Sequence, residues 1–205
     1  MINHFDQAAI SWDSNPVHWE RSEAIAQKIM QIIDLRPNMT AMEYGAGTGI
    51  LSFLLKDYLK EITLMDSSVE MVKVMEEKIR INKADHLKPL YFNLETTEFR
   101  SQTFDLIFTQ MVLHHVAGVE AIITKFYHLL NDGGSLAIAD LYLEDGSFHG
   151  EGFTGHLGFD VLSLGETLSR IGFKNVRHEQ CFVIRRITET KEAKEFPIFI
   201  LTAHK

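Results

Sequence analysis

The residues of this 205-residue chain that could do chemistry fall into three groups. The first is Glu43-Tyr44-Gly45-Ala46-Gly47-Thr48-Gly49, with glycines at alternate positions behind an acid. Glycine permits the tight turning and close backbone approach that a bound ligand demands. A helix that begins after such a loop aims its unpaired N–H groups at the ligand. A dinucleotide loop places its third glycine one position later, and a Walker loop has lysine after its last glycine. Ile50 stands at both places, so each phosphate reading is weakened by one residue. The second group is Asp66, seventeen residues after Gly49. An acid there can accept hydrogen bonds from a ribose diol, or it can cap the next helix through Ser67 or Ser68. The third group is His114, His115, Asp140, Tyr142 and His156, candidates to receive a proton from a nucleophile. Histidine suits that task because its ordinary pKa is about 6.5.

These residues need elements to hold them. Met39–Tyr44 reads as a short strand ending at Gly45, followed by a helix over Ile50–Leu59. Ile62–Met65 is a second strand, ending at Asp66, and Ser68 is the expected N-cap of a helix to about Asn82. Strands are also expected at Leu90–Phe92, Phe104–Thr109 and Leu136–Ala139. A helix over Val119–Leu130 should stop at Asn131-Asp132-Gly133-Gly134. This alternation predicts right-handed crossovers and a mostly parallel sheet with helices on both faces. Val176–Ile187 and Ile198–Ala203 read as strands separated by about ten residues, among them Glu189, too few for a crossover helix; an antiparallel hairpin is expected. The predicted fold is thus an α/β three-layer sandwich with a seven-stranded sheet closed by a C-terminal hairpin. It divides a single domain, 1–205, into a leading helical segment over 1–38, a core over 39–140, and a loop, helix and hairpin over 141–205. The leading helix should run Val17–Ile33 with Ile25, Ile29 and Ile33 on one stripe. Leu141–Phe159 is rich in glycine, histidine and aromatics, and it starts at a strand's carboxyl end, where open α/β sheets bind ligands. It reads as a loop over the site.

Composition excludes several classes. Apolar residues are 45% and charged residues 23%, which is ordinary for a globular chain and rules out disorder. One cysteine, Cys181, rules out a disulfide framework and a multi-cysteine metal site, and it suits a reducing, cytoplasmic setting. The net charge of −8 repels a nucleic-acid backbone on average. No run of about 18 apolar residues predicts a membrane span, and Met1–Asp6 lacks the basic and apolar regions of a signal peptide.

The ordered set Glu43-x-Gly45-x-Gly47-x-Gly49, Asp66-x-Ser68-x-x-Met71, Phe104-Asp105-Leu106-Ile107 with Leu113-His114-His115-Val116, and Leu130-x-x-Gly133-Gly134 resembles the class I S-adenosylmethionine-dependent methyltransferases. It is most similar to the small-molecule type of ubiquinone and menaquinone biosynthesis. That resemblance implies S-adenosylmethionine as cofactor and S-adenosylhomocysteine as product. It implies that Gly45, Ala46, Gly47 and Gly49 pass under the methionine moiety with Glu43 at the loop base. Asp66 would hold the ribose, Ser67 and Met71 would lie near the adenine, and Asn93-Leu94 would flank the adenine edge. Gln110 would face the ammonium through its backbone. An aspartate is the commoner residue where Asn93 stands. In similar proteins the leading segment, here with Phe5, Trp12 and Trp19, closes over the cofactor.

No Asn-Pro-Pro-Tyr, Asp-Pro-Pro-Tyr or Pro-Cys motif is present, so a small-molecule acceptor is expected rather than nucleic acid. A homodimer is left open. The sulfonium is already an activated donor, and no ligand spacing is evident, so no metal is expected. His114, Asp140, Tyr142 and His156 are the expected acceptor contacts. His115 is the expected general base, because Met111, Val112 and Leu113 favour burial of the segment's other side. A cofactor-binding protein without turnover and a nicotinamide-dependent oxidoreductase stand as alternatives.

Overall fold

A computed structural model describes residues 4–188 and 191–205; Met1–Asn3 of the expected leader-free start and Glu189 of the expected connector lie outside the described residues. Seven strands form one sheet: β1 Thr40–Tyr44, β2 Glu61–Asp66, β3 Leu87–Tyr91, β4 Phe104–Gln110, β5 Leu130–Leu141, β6 Lys174–Ile187 and β7 Ala193–His204. Their order across the sheet is β3-β2-β1-β4-β5-β7-β6. The first five run parallel; β7 pairs antiparallel with β5 and with β6.

The strands read as near-continuous apolar runs because both faces are covered. Alternate residues go to opposite faces: Leu106 and Phe108 of β4 enter one apolar cluster, and Ile107 enters the other. The first cluster is completed by α2 (Pro16–Ile32), α3 (Ile50–Leu55) and α4 (Val69–Asn82). The second is completed by α5 (Val119–Leu129) and α6 (Val161–Ile171). A short α1 (His4–Ala8) precedes them. Ile25, Ile29 and Ile33 are buried along one stripe, as the spacing predicts. Asn15 caps α2 by accepting from the Val17 N–H, and Pro16 fits the first helical turn.

Several boundaries differ from the sequence reading: α3 stops at Leu55 rather than Leu59, and β3 runs Leu87–Tyr91 rather than Leu90–Phe92. α5 stops at Leu129 and β5 begins at once at Leu130, running through the Asn-Asp-Gly-Gly stretch that reads as a turn. There the Gly133 N–H donates to the Lys205 carbonyl and the Lys205 N–H donates to the Gly134 carbonyl, so this long-range pairing outweighs local turn propensity. The hairpin strands are longer than their apolar cores, and the connector shrinks to residues 188–192. Among the described residues no helix is long and apolar enough to cross a membrane.

Candidate active site

The strand order reverses between β1 and β4, and the carboxyl ends of β1, β2, β4 and β5 meet there. Such a switch point leaves the crevice in which open α/β sheets bind ligands. β1 leads into the glycine loop. Gly45 has φ +68°, and a Cβ there would lie 2.4 Å from Val112 Cγ2, so only glycine lets the loop abut the turn that follows β4. Around Gly47 the nearest atom to a built Cβ is Trp12 Nε1 at 4.0 Å, which leaves the loop's outer side open toward the leading segment.

Two carboxylates flank the loop. Asp66 Oδ2 accepts from the Gly47 N–H at 2.7 Å, and Oδ1 accepts from the Ser68 N–H at 2.8 Å. Burial raises its pKa, opposed by those N–H groups. Glu43 is fully buried. Its Oε2 accepts from both the N–H (3.1 Å) and the hydroxyl (2.5 Å) of Ser52, while Oε1 is buried with no partner. Burial pushes the Glu43 carboxyl up to about 8. A buried acid oxygen without a partner under a glycine loop suits a ligand that brings a hydrogen-bond donor.

The leading segment crosses this loop. Ser68 Oγ donates to Asp6 at 2.5 Å, Thr48 Oγ1 donates to Asp13 at 2.5 Å, and Lys78 reaches both Asp13 and the Thr48 carbonyl. Ser22 on α2 meets the Gln110 amide at 3.0–3.1 Å, tying α2 to the end of β4.

Beyond Gln110 the chain turns through Met111 in the left-handed region, φ +54°, a conformation that costs a non-glycine residue and recurs at functional sites. The next turn, Leu113–His115, separates the two histidines. His114 is 1% exposed. Its Nδ1 lies 2.6 Å from Asp140 Oδ1, and Asp140 also accepts from the N–H groups of His114 (3.3 Å) and Leu141 (2.8 Å). A carboxylate only accepts, so the His114 Nδ1–H is the donor in this contact and Nε2 lies on the other side of the ring. Arg21 is buried beside this pair. Burial lowers its pKa to about 10, and the Asp140 charge opposes the fall. His115, by contrast, is exposed, with its ring edge-on to Phe5 (5.1 Å) and Phe153 (5.4 Å).

The segment after β5 folds back on this turn. The His156 N–H donates to the His114 carbonyl at 2.8 Å, and its Nε2 donates to the Val116 carbonyl at 3.0 Å. A Cβ on Gly155 would lie 2.2 Å from the His114 oxygen, so glycine is required at this approach. The fold-back carries His149 to the pair: its ring lies 5.0 Å from His114 and 5.3 Å from His115, stacked on Phe153 at 3.8 Å.

A sequence profile described as a methyltransferase domain matches residues 42–138, the span from β1 into β5 that carries the loop, Asp66 and the histidine turn. Over that span the chain carries a methyltransferase domain, set on the Rossmann-like fold of the class I methyltransferases. It is 27% identical over 184 residues to an uncharacterized methyltransferase of Schizosaccharomyces pombe, covering 78% of this chain and 65% of that one. It is 24% identical over 127 residues to a demethylmenaquinone methyltransferase of Porphyromonas gingivalis, covering 60% and 52%. Among solved structures, Haemonchus contortus phosphoethanolamine N-methyltransferase 2, in complex with phosphomonomethylethanolamine and S-adenosylhomocysteine, superposes with a TM-score of 0.72 at 15% identity. That match covers 91% of this chain and 52% of that one. The chain spans less than two thirds of the length of each of these curated relatives, 65% of the first and 52% of the second. The antiparallel β7 between β5 and β6 also departs from the β1–β6 order of dinucleotide folds, which weakens the oxidoreductase alternative.

In this methyltransferase domain the glycine loop, Asp66, Gln110, His114, His115 and Asp140 gather at one sheet edge. Ser67 is exposed and Met71 is buried on α4. Leu94 is buried. Asn93 is exposed, and its side-chain oxygen accepts from the N–H groups of Glu95 and Thr96, so its carbonyl closes its own turn rather than standing ready for an adenine amine. Tyr142 packs on Phe199 beside the α5–α6 cluster. His156 pins two segments together. Asp140 is 0% exposed and reaches a ligand only through His114. Burial pushes the Cys181 thiol up to about 12, so it is no nucleophile at neutral pH. Arg21 and His149 are absent from the sequence reading. His149 had one signal, the glycine- and aromatic-rich stretch around it; Arg21 had none, since an arginine on a helix reads as solvated.

Glu43 gives this domain a pH dependence. In the unfolded chain its carboxyl ionises near 4.3, whereas folded it keeps its proton to about 8. The folded state binds the extra proton between those values. The Glu43 contribution is therefore full below about 4 and declines as pH rises to about 8, by about 1.4 kcal/mol per pH unit. Glu43→Gln removes the titration. Its urea-unfolding free energy should gain on the wild type from pH 5 to 8 at about that slope. Parallel curves would show that Glu43 ionises normally.

Proposed function

We propose that the chain transfers a methyl group from S-adenosylmethionine to a small-molecule acceptor, releasing S-adenosylhomocysteine. The observation that carries this reading is the placement of the loop, with its unsatisfied Glu43 oxygen, and of Asp66 across the switch point from the exposed His115. The residues present fit the cofactor. Its ribose diol matches the Asp66 carboxylate, each of whose oxygens has a second lone pair, and the partnerless Glu43 oxygen lies at the base of the loop that would carry the methionine moiety.

When bound, the cofactor supplies a methyl group already attached to a good leaving group. The chain's task is then placement, which supplies up to about 7–11 kcal/mol when the reacting atoms are aligned. Gly45, Ala46, Gly47 and Gly49 cradle the methionine moiety through their backbone, with Glu43 beneath. Asp66 orients the ribose, Met71, Ser67 and Leu94 bound the adenine, and Asn93 serves through its main chain. The Gln110 main chain faces the ammonium, since the amide is engaged by Ser22. The leading segment, 1–38, excludes water from above. His115 meets the acceptor's reacting heteroatom and receives its proton; His114, locked by Asp140, sets the turn that aims it. The single unpaired thiol supports a reducing cytoplasmic setting. Relatives named for phosphoethanolamine and demethylmenaquinone support a small acceptor without choosing its class.

Titration calorimetry with S-adenosylhomocysteine and with NAD, followed by a screen of lysate metabolites with methyl-labelled cofactor, tests the reading. Binding of the homocysteine product and label transfer to one metabolite is the expected result. NAD binding alone overturns it. Product binding with no labelled metabolite would favour a binding protein without turnover.

A further inference from the structure

We propose that His114, His115 and His149 hold one divalent first-row transition ion, zinc by preference, at the acceptor edge of the crevice. One ring nitrogen from each of the three lies within 4.8 Å of the others. Tetrahedral zinc with bonds of about 2.0–2.1 Å requires nitrogens about 3.3 Å apart, so closure by roughly 1.5 Å completes the site. The two rings that must shift are outside the regular elements: His115 is exposed on a turn, and His149 belongs to the irregular segment after β5. The fixed ring is His114. Its Nδ1–H is held by buried Asp140, leaving Nε2 for an ion; a carboxylate behind a ligating histidine is the usual support of a zinc ligand. The Asp140 charge also offsets an incoming cation, against the opposing charge of Arg21.

Three imidazoles suit zinc, copper, nickel or cobalt rather than magnesium or calcium, which take oxygen ligands. Three protein ligands also leave a fourth position for water or for an acceptor heteroatom, the arrangement of zinc sites that do chemistry rather than hold structure. An ion there would acidify a bound hydroxyl or thiol, and in that loaded form His115 would act on the acceptor as a ligand of the ion in place of taking the proton itself. The sequence pair His114-His115 carries no ligand spacing. Only the fold-back pinned by His156 and Gly155 brings the third imidazole to it.

The test needs neither acceptor nor cofactor. The full chain, stripped with chelator and titrated with Co²⁺, should show a visible ligand-field band saturating at one equivalent. Zn²⁺ should displace the cobalt, and elemental analysis after dialysis should return one bound zinc. His149→Ala and His115→Ala should each abolish the band and weaken zinc by at least about tenfold, with an unchanged circular dichroism spectrum. If wild type shows no band, or if both variants bind zinc as the wild type does, the three rings are an aromatic cluster only and the proposal fails.

Discussion

Asp66→Ala is expected to bind S-adenosylhomocysteine about 10–150-fold more weakly than the wild type. The lower figure is the loss of one charged hydrogen bond to a ribose hydroxyl, about 1.5 kcal/mol, and the upper is about 3 kcal/mol. The geometry favours the upper end. The same carboxylate holds the Gly47 N–H at 2.7 Å and the Ser68 N–H at 2.8 Å, so its removal also unties the loop from the end of β2. Folding should survive, because Asp66 closes a strand and buries no apolar group. Ser67→Ala, at an exposed neighbour, should stay within about twofold. Calorimetry on the three proteins decides the matter. If Asp66→Ala binds normally, Asp66 serves only as the anchor of the turn before α4.

The adjacent histidines should separate cleanly. His115→Asn should lower turnover by about 10²–10⁴-fold, the usual contribution of a positioned proton acceptor, while its cofactor affinity and unfolding midpoint stay near wild type. His114→Ala should do the reverse first. It leaves Asp140, at 0% exposure, without its imidazole, and breaking a buried pair typically costs about 3–5 kcal/mol. Urea unfolding and single-turnover label transfer, run on both variants, read the two effects separately. Wild-type turnover in His115→Asn would remove it from the reaction. An unchanged midpoint in His114→Ala would show that the pair with Asp140 contributes nothing to the fold.

Much of the fold was legible because local chemistry and burial agreed. β1, β2 and β4 are short apolar runs ended by the residues that turn the chain, and Ser68 caps α4 through the Met71 N–H as its position implies. Legibility failed where a distant partner decided the conformation. Asn131-Asp132-Gly133-Gly134 has turn propensity, yet it joins β5 because the chain's last residues pair with it. Asn93 is polar and well placed in sequence, yet its oxygen turns inward to its own loop.

The sequence by itself determined the strand–glycine loop–helix unit and the acid after β2, and with them the resemblance to a methyltransferase family and the cofactor that the resemblance implies, because those features are encoded within a few residues of one another. The choice of His115 as general base rested on the apolar run before the pair, and the structure then left His115 exposed and His114 buried. The tertiary structure alone decided how these residues are used. It buried Glu43 until its acid holds a proton near neutrality, paired His114 with Asp140 from the neighbouring strand, placed Arg21 beside them, and folded His149 in from 34 residues along the chain. Those outcomes depend on which side chains are removed from water together, and desolvation and long-range pairing leave no mark in the spacing of residues along the chain.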